Sequence, residues 1–396
     1  MALDPRIRIV VAGNFVAVAA RMSLVTYLGI YYVHKLGIAV ALVGTALLIE
    51  NLTRGLLAPF GGALGDRFGR RAPLIAGLLG NAAVLPCFLL VEGPASLIAW
   101  SVGMGLAGAV QFPTGTALLL DLAPPDRRQY VLAVNYTAIS VGYTLGVVPG
   151  GFLAEQGYGL LAGFASAGYL AVALLFALAL RAPLPRERVH AEQSVLGRTG
   201  AALLDRRLLG FASLAIVFPF SMGLFVFVLA LFGADSGVSE GVIGLALSSN
   251  GIAIALLAVP VASRIEARGP FRLLGAAALA VGVALACLAI VPQAQYGLFA
   301  SVLVLTAGEL IFSSAVPTAI ARFAPPGLRG AYQGAWSLVQ SIGMGSALLA
   351  SGVLRDALGW RATWLAFAAL LAAAGFALHA LRGRFARASG GDVQAL

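Results

Sequence analysis

Charge is what this sequence lacks. Asp, Glu, Lys and Arg make up 11% of its 396 residues, against about 25% in a soluble domain. A chain so poor in charge cannot keep most of its surface in water. Lysine is almost missing: Lys35 stands alone among 26 basic residues, the rest being arginine. Cysteine occurs twice and histidine three times. Cys87 and Cys287 each fall inside an apolar stretch, where they read as packing residues rather than as a disulfide or a metal pair. There is no intramembrane His or Cys cluster and no HExxH, so the constellation of a membrane enzyme is missing. No cofactor and no metal are expected. Period-2 alternation is absent as well, which argues against a membrane β-barrel.

What the sequence has is oil. Hydrophobic residues make up 60% of it, with a mean hydropathy of +0.94. A helix needs about 20 apolar residues to cross a hydrocarbon core. Twelve segments qualify, at 7–33, 39–64, 73–92, 95–120, 130–156, 159–182, 208–234, 238–263, 271–292, 295–321, 331–354 and 359–381. The expected fold is therefore an all-α polytopic membrane protein. It divides into a six-helix bundle at 1–182, a polar linker at 183–207, a second bundle at 208–381 and a tail at 382–396. The N-terminus reads as a retained first helix, not a cleaved signal.

A net charge of +10 would suggest nucleic acid, but the basic residues sit where topology needs them. Twenty-one of the 26 lie at the two ends, in the linker or in the loops on that same side; Lys35, Arg355 and Arg361 lie on the other. Arg21 and Arg54 are inside spans. By the positive-inside rule, both termini and the linker are expected in the cytoplasm. No nucleic-acid partner is expected.

The halves repeat. "DLAPPDRRQY" at 121–130 returns 201 residues later as "RFAPPGLRGA" at 322–331, and "SVG" at 140–142 as "SIG" at 341–343. Such a parallel duplication places a substrate site between two halves.

Between spans 2 and 3 the chain reads "GGALGDRFGRR". Gly62, Asp66, Arg67, Gly69, Arg70 and Arg71 resemble, position by position, the loop signature of the major facilitator superfamily. The resemblance covers the whole chain. It is closer to twelve-span bacterial drug:proton antiporters, the LmrP-like multidrug exporters. It implies a cytoplasmic charge latch between Asp66, Arg70 or Arg71, and Asp121 at the end of span 4. It also implies a glycine-rich antiporter motif in span 5, here Gly142, Gly146, Pro149, Gly150 and Gly151, with the proline two residues later than the family's. The second half carries Ser263 and Arg322 where the latch would need acids.

Four charges lie well inside spans: Arg21, Glu50, Arg54 and Glu309. Such residues are costly in lipid and normally pair or face a cavity. Glu50 and Arg54, four apart on one helical face, could neutralise each other. Arg21 and Glu309 have no charged neighbour one turn away; they are either partners or separate substrate contacts. Glu309 is the only charge between Arg272 and Arg322. Burial penalises a carboxylate's charged form, so Glu309 is the candidate for proton coupling. Asn14, Tyr27, Tyr31, Gln111, Asn135, Tyr136, Phe218, Phe225, Trp336 and Gln340 are candidate cavity-lining residues. Pro317 can bend span 10.

The expected function is secondary active transport: a proton-coupled exporter of lipophilic or amphipathic compounds, working as a monomer in the bacterial inner membrane among its lipids. The competing expectation is a transporter or flippase for a specific lipid or an anionic metabolite.

Overall fold

The computed structural model describes residues 4–124, 127–180, 202, 204–268, 270–325 and 328–388. The first bundle comprises α1 (Pro5–Ile30), α2 (Val40–Phe68), α3 (Arg71–Val84), α4 (Pro94–Leu122), α5 (Arg128–Gln156) and α6 (Tyr158–Ala179). Helix α1 runs on into a π-helical turn, Tyr31–Lys35. Helix α3 tightens into a 3-10 turn, Leu85–Leu90, at Pro86, which has no N–H to give to the α-helical ladder. The span Arg206–Asp235 is α7, α-helical except at Ile216 and for a π-helical turn at Leu224–Val228. Then come α8 (Glu240–Arg268), α9 (Pro270–Ile290) and α10 (Ala294–Phe323). The last helix, Arg329–Ala388, breaks at Gly359, where φ is +77°. It is therefore two helices, α11 (329–358) and α12 (360–388). The twelve expected spans are present, and among the described residues there is no strand. The middle of the linker, at 183–201 and 203, and the end of the tail, at 389–396, lie outside the described residues.

The chain forms two compact units, Met1–Ala191 with Ser239–Ser248, and Glu192–Val238 with Ser249–Leu396. The first ten or so residues of the α7–α8 turn and α8 thus group with unit 1.

Two features carry the repeat further than the sequence motif did. Asp4 caps α1 by accepting from Arg6 N at 2.9 Å, and Asp205, 201 positions on, caps α7 by accepting from Arg207 N at 2.8 Å. The left-handed turn glycines also come in pairs: Gly37 (φ +65°) with Gly237 (+76°), and Gly157 (+145°) with Gly359 (+77°). Each ends one helix and starts the next where a side chain would strain the backbone.

Within unit 1, α5 lies flush on α1. A Cβ built at Gly142, Gly146 or Gly150 would come within 2.6, 2.2 and 2.2 Å of the carbonyl oxygens of Phe15, Ala19 and Ser23. Three glycines spaced by four make one bare stripe, and the facing residues are also spaced by four. Without a hydrophobic drive between helices in lipid, such close approach is what holds them. Gly151 continues the contact against Tyr27 and Glu240. Pro149 stands inside this helix, and Tyr27 Oη donates to Val147 O at 2.9 Å beside it.

Helix α4 meets α2 in a related way. Pro113 cannot donate to the carbonyl of Ala109, four residues back. That oxygen lies against Gly61, where a Cβ would be 2.1 Å away. Gly62, the first glycine of the loop signature and a candidate for close helix approach, has nothing within 4 Å of its virtual Cβ. The close approach belongs to its neighbour, because it is Gly61 whose Cα faces α4.

Candidate functional site

In unit 1 the intramembrane charges form one cluster. The Arg21 guanidinium donates from Nη2 to Glu50 Oε1. Both side chains are buried, at 6% and 2% exposure. Arg54 Nη1 stands 4.0 Å from the same Oε1. Arg54 also donates to Asn51 Oδ1, and its guanidinium carbon lies 5.7 Å from the Phe112 ring centre. Tyr169 on α6 reaches Arg21 with its hydroxyl. The sequence expectation was a Glu50–Arg54 pair along one helix. The structure instead bonds Glu50 across to α1, with Arg54 as a second, longer contact. Arg21 is therefore Glu50's partner.

Beside this cluster, Asn14 Nδ2 donates to Asn135 Oδ1 at 2.8 Å, and Asn81 Nδ2 donates to Gln111 Oε1 at 2.8 Å. Asn14, Gln111, Phe112 and Asn135 line one small recess with Val18, Gly115, Thr116 and Ile139. Three expected lining residues, from three helices, are thus brought together.

In unit 2, Glu309 Oε2 accepts from Asn250 Nδ2 at 2.7 Å. The same amide nitrogen donates to Thr306 Oγ1 at 2.9 Å, and Thr306 donates back to Val302 O. Two acceptors therefore orient Asn250. Gly308 lays α10 flush on α9: its Cβ would come within 2.8 Å of Ala277 O. Among the described residues Glu309 meets no cation. Asn250 was missed at the sequence level. Its signal was available, since an amide inside an apolar span must find a partner.

The remaining expected lining residues are spread out. Tyr27 is fully buried. Tyr31 packs against Phe88 and Tyr158, with ring centres 5.0 and 4.8 Å apart. Phe218 is buried and stacks on Phe312 at 4.8 Å. Phe225 and Trp336 are buried as well, whereas Tyr136 and Gln340 are exposed. Pro317 is exposed in α10, and its carbonyl accepts from Gln333 Nε2 at 3.2 Å.

At the end of unit 1 carrying the loop signature, Arg70 Nε donates to Asp121 Oδ2 at 2.9 Å. This ties the start of α3 to the last turn of α4. Of the two arginines left open by the resemblance, Arg70 makes this bond. Arg71 instead donates to Ala177 O at 2.7 Å, a cation on the carbonyl end of α6. Arg67 is exposed against Phe68. Gly69, with φ +81°, ends α2. The side chain of Asp66 lies outside what is described, as does that of Ser263. Arg322 is exposed at the end of α10. Unit 2 has a different tie: Tyr332 Oη donates to Asp205 Oδ2 at 2.6 Å. Partial burial alone would push the Asp205 carboxyl up. Hydrogen bonds from Tyr332 and the Arg207 backbone outweigh it and hold that carboxyl below its ordinary range.

One string, Gly237-Val238-Ser239-Glu240-Gly241, has the spacing of a hydrolase nucleophile turn. It joins two helices rather than a strand to a helix, and Ser239 Oγ accepts from Val242 N at 3.5 Å as the start of α8.

Comparison with known proteins agrees with this architecture. The profile of the Major Facilitator Superfamily matches residues 10–232 and 211–390. Multidrug resistance protein MdtH of Aeromonas hydrophila is 26% identical over 336 residues, 82% of this chain and 81% of that one. MdtH of Yersinia enterocolitica is 30% identical over 145 residues, 37% of this chain and 36% of that one. Among solved structures, the nucleoside transporter NupG superposes with a TM-score of 0.75 at 16% identity, covering 96% and 99% of the two chains. A peptide transporter POT in complex with sulfate gives 0.78 at 16% identity, covering 96% and 95%. At that identity the two structures speak for the fold alone. The chain is a multi-pass membrane transporter that belongs to the Major Facilitator Superfamily.

Proposed function

We propose that the protein is a proton-coupled exporter of lipophilic or amphipathic small molecules, with Glu309 as the coupling carboxyl. One observation carries this reading: the membrane interior holds two carboxylates in opposite settings. Glu50 lies between two arginines, and a proton placed on it would leave two buried cations uncompensated. Glu309 has a neutral amide for a partner. It can gain and lose a proton while Asn250 remains within hydrogen-bonding reach of one oxygen. A group that alternates between charged and neutral is what couples a gradient to transport. One charge crossing 100 mV is worth about 2.3 kcal/mol.

The substrate class is supported by the MdtH relatives, which are named for multidrug resistance. The bias of arginine and lysine, 21 against 3, supports cytoplasmic termini in a bacterial inner membrane. The ion pair of Arg70 with Asp121 supports a latch at that side.

The test is transport in proteoliposomes. A pH gradient should drive export of a lipophilic dye by the wild type, and Glu309→Gln should abolish the gradient dependence while dye binding in detergent persists. Unimpaired gradient-driven export by Glu309→Gln would refute the coupling role.

A further inference from the structure

The charges of the unit 1 cluster do not balance. Arg21 and Arg54 carry two positive charges, and Glu50 carries one negative charge. Glu50 is engaged by Arg21 through a hydrogen bond, and the more buried arginine is the better served of the two. Among the described residues, the charged contact of Arg54 is the far one to the same oxygen, at 4.0 Å. Its other partners, Asn51 Oδ1 and the face of Phe112, are neutral. Asn51 is in turn fixed by its own donation to Leu47 O. Arg54 is also the least buried member of the set, at 25% exposure against 6% and 2%. An uncompensated cation within a span is expensive, and a guanidinium with donors to spare matches a carboxylate in both shape and charge.

The backbone around it is cut to hold that arginine in place. A Cβ at Gly108 would come within 3.0 Å of Arg54 Cδ, and one at Gly105 within 2.8 Å of Glu50 O. Thus α4 presents bare backbone where the Arg54 stem crosses it. Beyond the guanidinium lies Phe112, which also lines the recess holding Asn14, Gln111 and Asn135. Phe112 is therefore shared, in a single unit, by the arginine and by a recess with three side-chain amides.

We infer that Arg54 is the anion subsite of the transporter, and that its substrates are amphiphiles bearing one carboxylate, or a like monoanion, beside an apolar or aromatic body. The anionic group bonds to the free side of the Arg54 guanidinium and completes the charge of the cluster. The body lies on Phe112, with the amides of Asn14, Gln111 and Asn135 offering hydrogen bonds to polar substituents. This rests on the exporter reading only in taking the ligand to be a transported small molecule; it needs no proton coupling.

The experiment is equilibrium binding to the full chain in detergent, without a gradient, read by tryptophan fluorescence. Three probes share one body and differ in charge: 4-hexylbenzoate, 4-hexylbenzamide and 4-hexylbenzylamine. The wild type should bind the benzoate most tightly. Arg54→Gln, which leaves the Arg21–Glu50 bond in place, should weaken the benzoate by about ten- to a hundredfold, the worth of a charge-assisted hydrogen bond. Its affinity for the benzamide should stay within about twofold of wild type, which also shows that the variant is folded. Arg54→Lys, which keeps the charge and loses the planar fork, should fall between the two. If the benzamide or the benzylamine binds as tightly as the benzoate, or the benzoate does not bind, the inference is wrong. It is equally wrong if Arg54→Gln retains the wild-type preference. Export of a cationic dye under a pH gradient, with no preference for the benzoate, would overturn this inference and leave the exporter reading standing. Benzoate binding that depends on Arg54, without any gradient-driven export, would do the reverse.

Discussion

Neutralising Glu50 should cost far more stability than neutralising Glu309, although each is a single carboxylate in a span. Arg54 stands 4.0 Å from Glu50, and Arg21 is hydrogen-bonded to it. At an effective dielectric near 20, a unit pair about 4 Å apart gains about 4 kcal/mol. Glu50→Gln removes two such attractions and leaves the repulsion between two arginines. Relief of the carboxylate's own desolvation offsets part of this. The net loss should be about 3–5 kcal/mol, the range for a broken buried pair. Glu309→Gln loses no cation partner, and a glutamine oxygen can still accept from Asn250. Its cost should stay within about 1 kcal/mol. Reversible unfolding of the purified protein by SDS in mixed micelles, followed by tryptophan fluorescence, measures both. Adding Arg21→Met to Glu50→Gln should recover about 1–3 kcal/mol, since the double change also removes an orphaned cation. If Glu50→Gln and Glu309→Gln lie within about 1 kcal/mol of each other, the cluster is not the energetic unit described.

Other expectations follow from single contacts. Gly61→Ala should destabilise by about 1–3 kcal/mol, because its methyl meets the Ala109 carbonyl; Gly62→Ala, in open space, should be neutral or slightly stabilising, and equal costs in the SDS titration would refute the packing assignment. Asp121→Asn should weaken the tie to Arg70 by about 1–2 kcal/mol and speed amide exchange around residues 69–71; unchanged exchange there would count against the latch. Asp205→Ala should cost about 1 kcal/mol at neutral pH. The folded carboxyl is held below its ordinary range, so its contribution is present above the ordinary carboxylate pKa and lost as pH falls through the folded value. The gap between wild type and variant should therefore narrow on acidification, and a gap that widens would refute the assignment.

The long-range plan was legible because lipid leaves few choices. Span length, arginine bias and the repeated "APP" loops all follow from constraints that act on many residues at once. The stripe of Gly142, Gly146 and Gly150 was also visible, since a spacing of four marks one helical face. What was not legible was choice among near neighbours. Glu50 and Arg54 share a face by spacing, yet the bond from Arg21 on α1 is the tighter one. Spacing within a helix says nothing about what a second helix brings. The same limit separates Gly61 from Gly62, where one residue changes the facing direction by about 100°. Asn250, which holds Glu309, is an amide like Asn14 and Asn135, and the sequence does not say which amide will face a carboxylate on another helix.

At six places along the chain the connection between helices is short. Residues 36–39, 91–93, 157, 236–239, 291–293 and 359 are all that separate the helical segments there, and four of those turns hinge on a left-handed glycine. Because α1 is tied to α2, α3 to α4 and α5 to α6 by these few residues, a displacement of one member must pull its mate. The turns thus act as linkage rods within each helix pair.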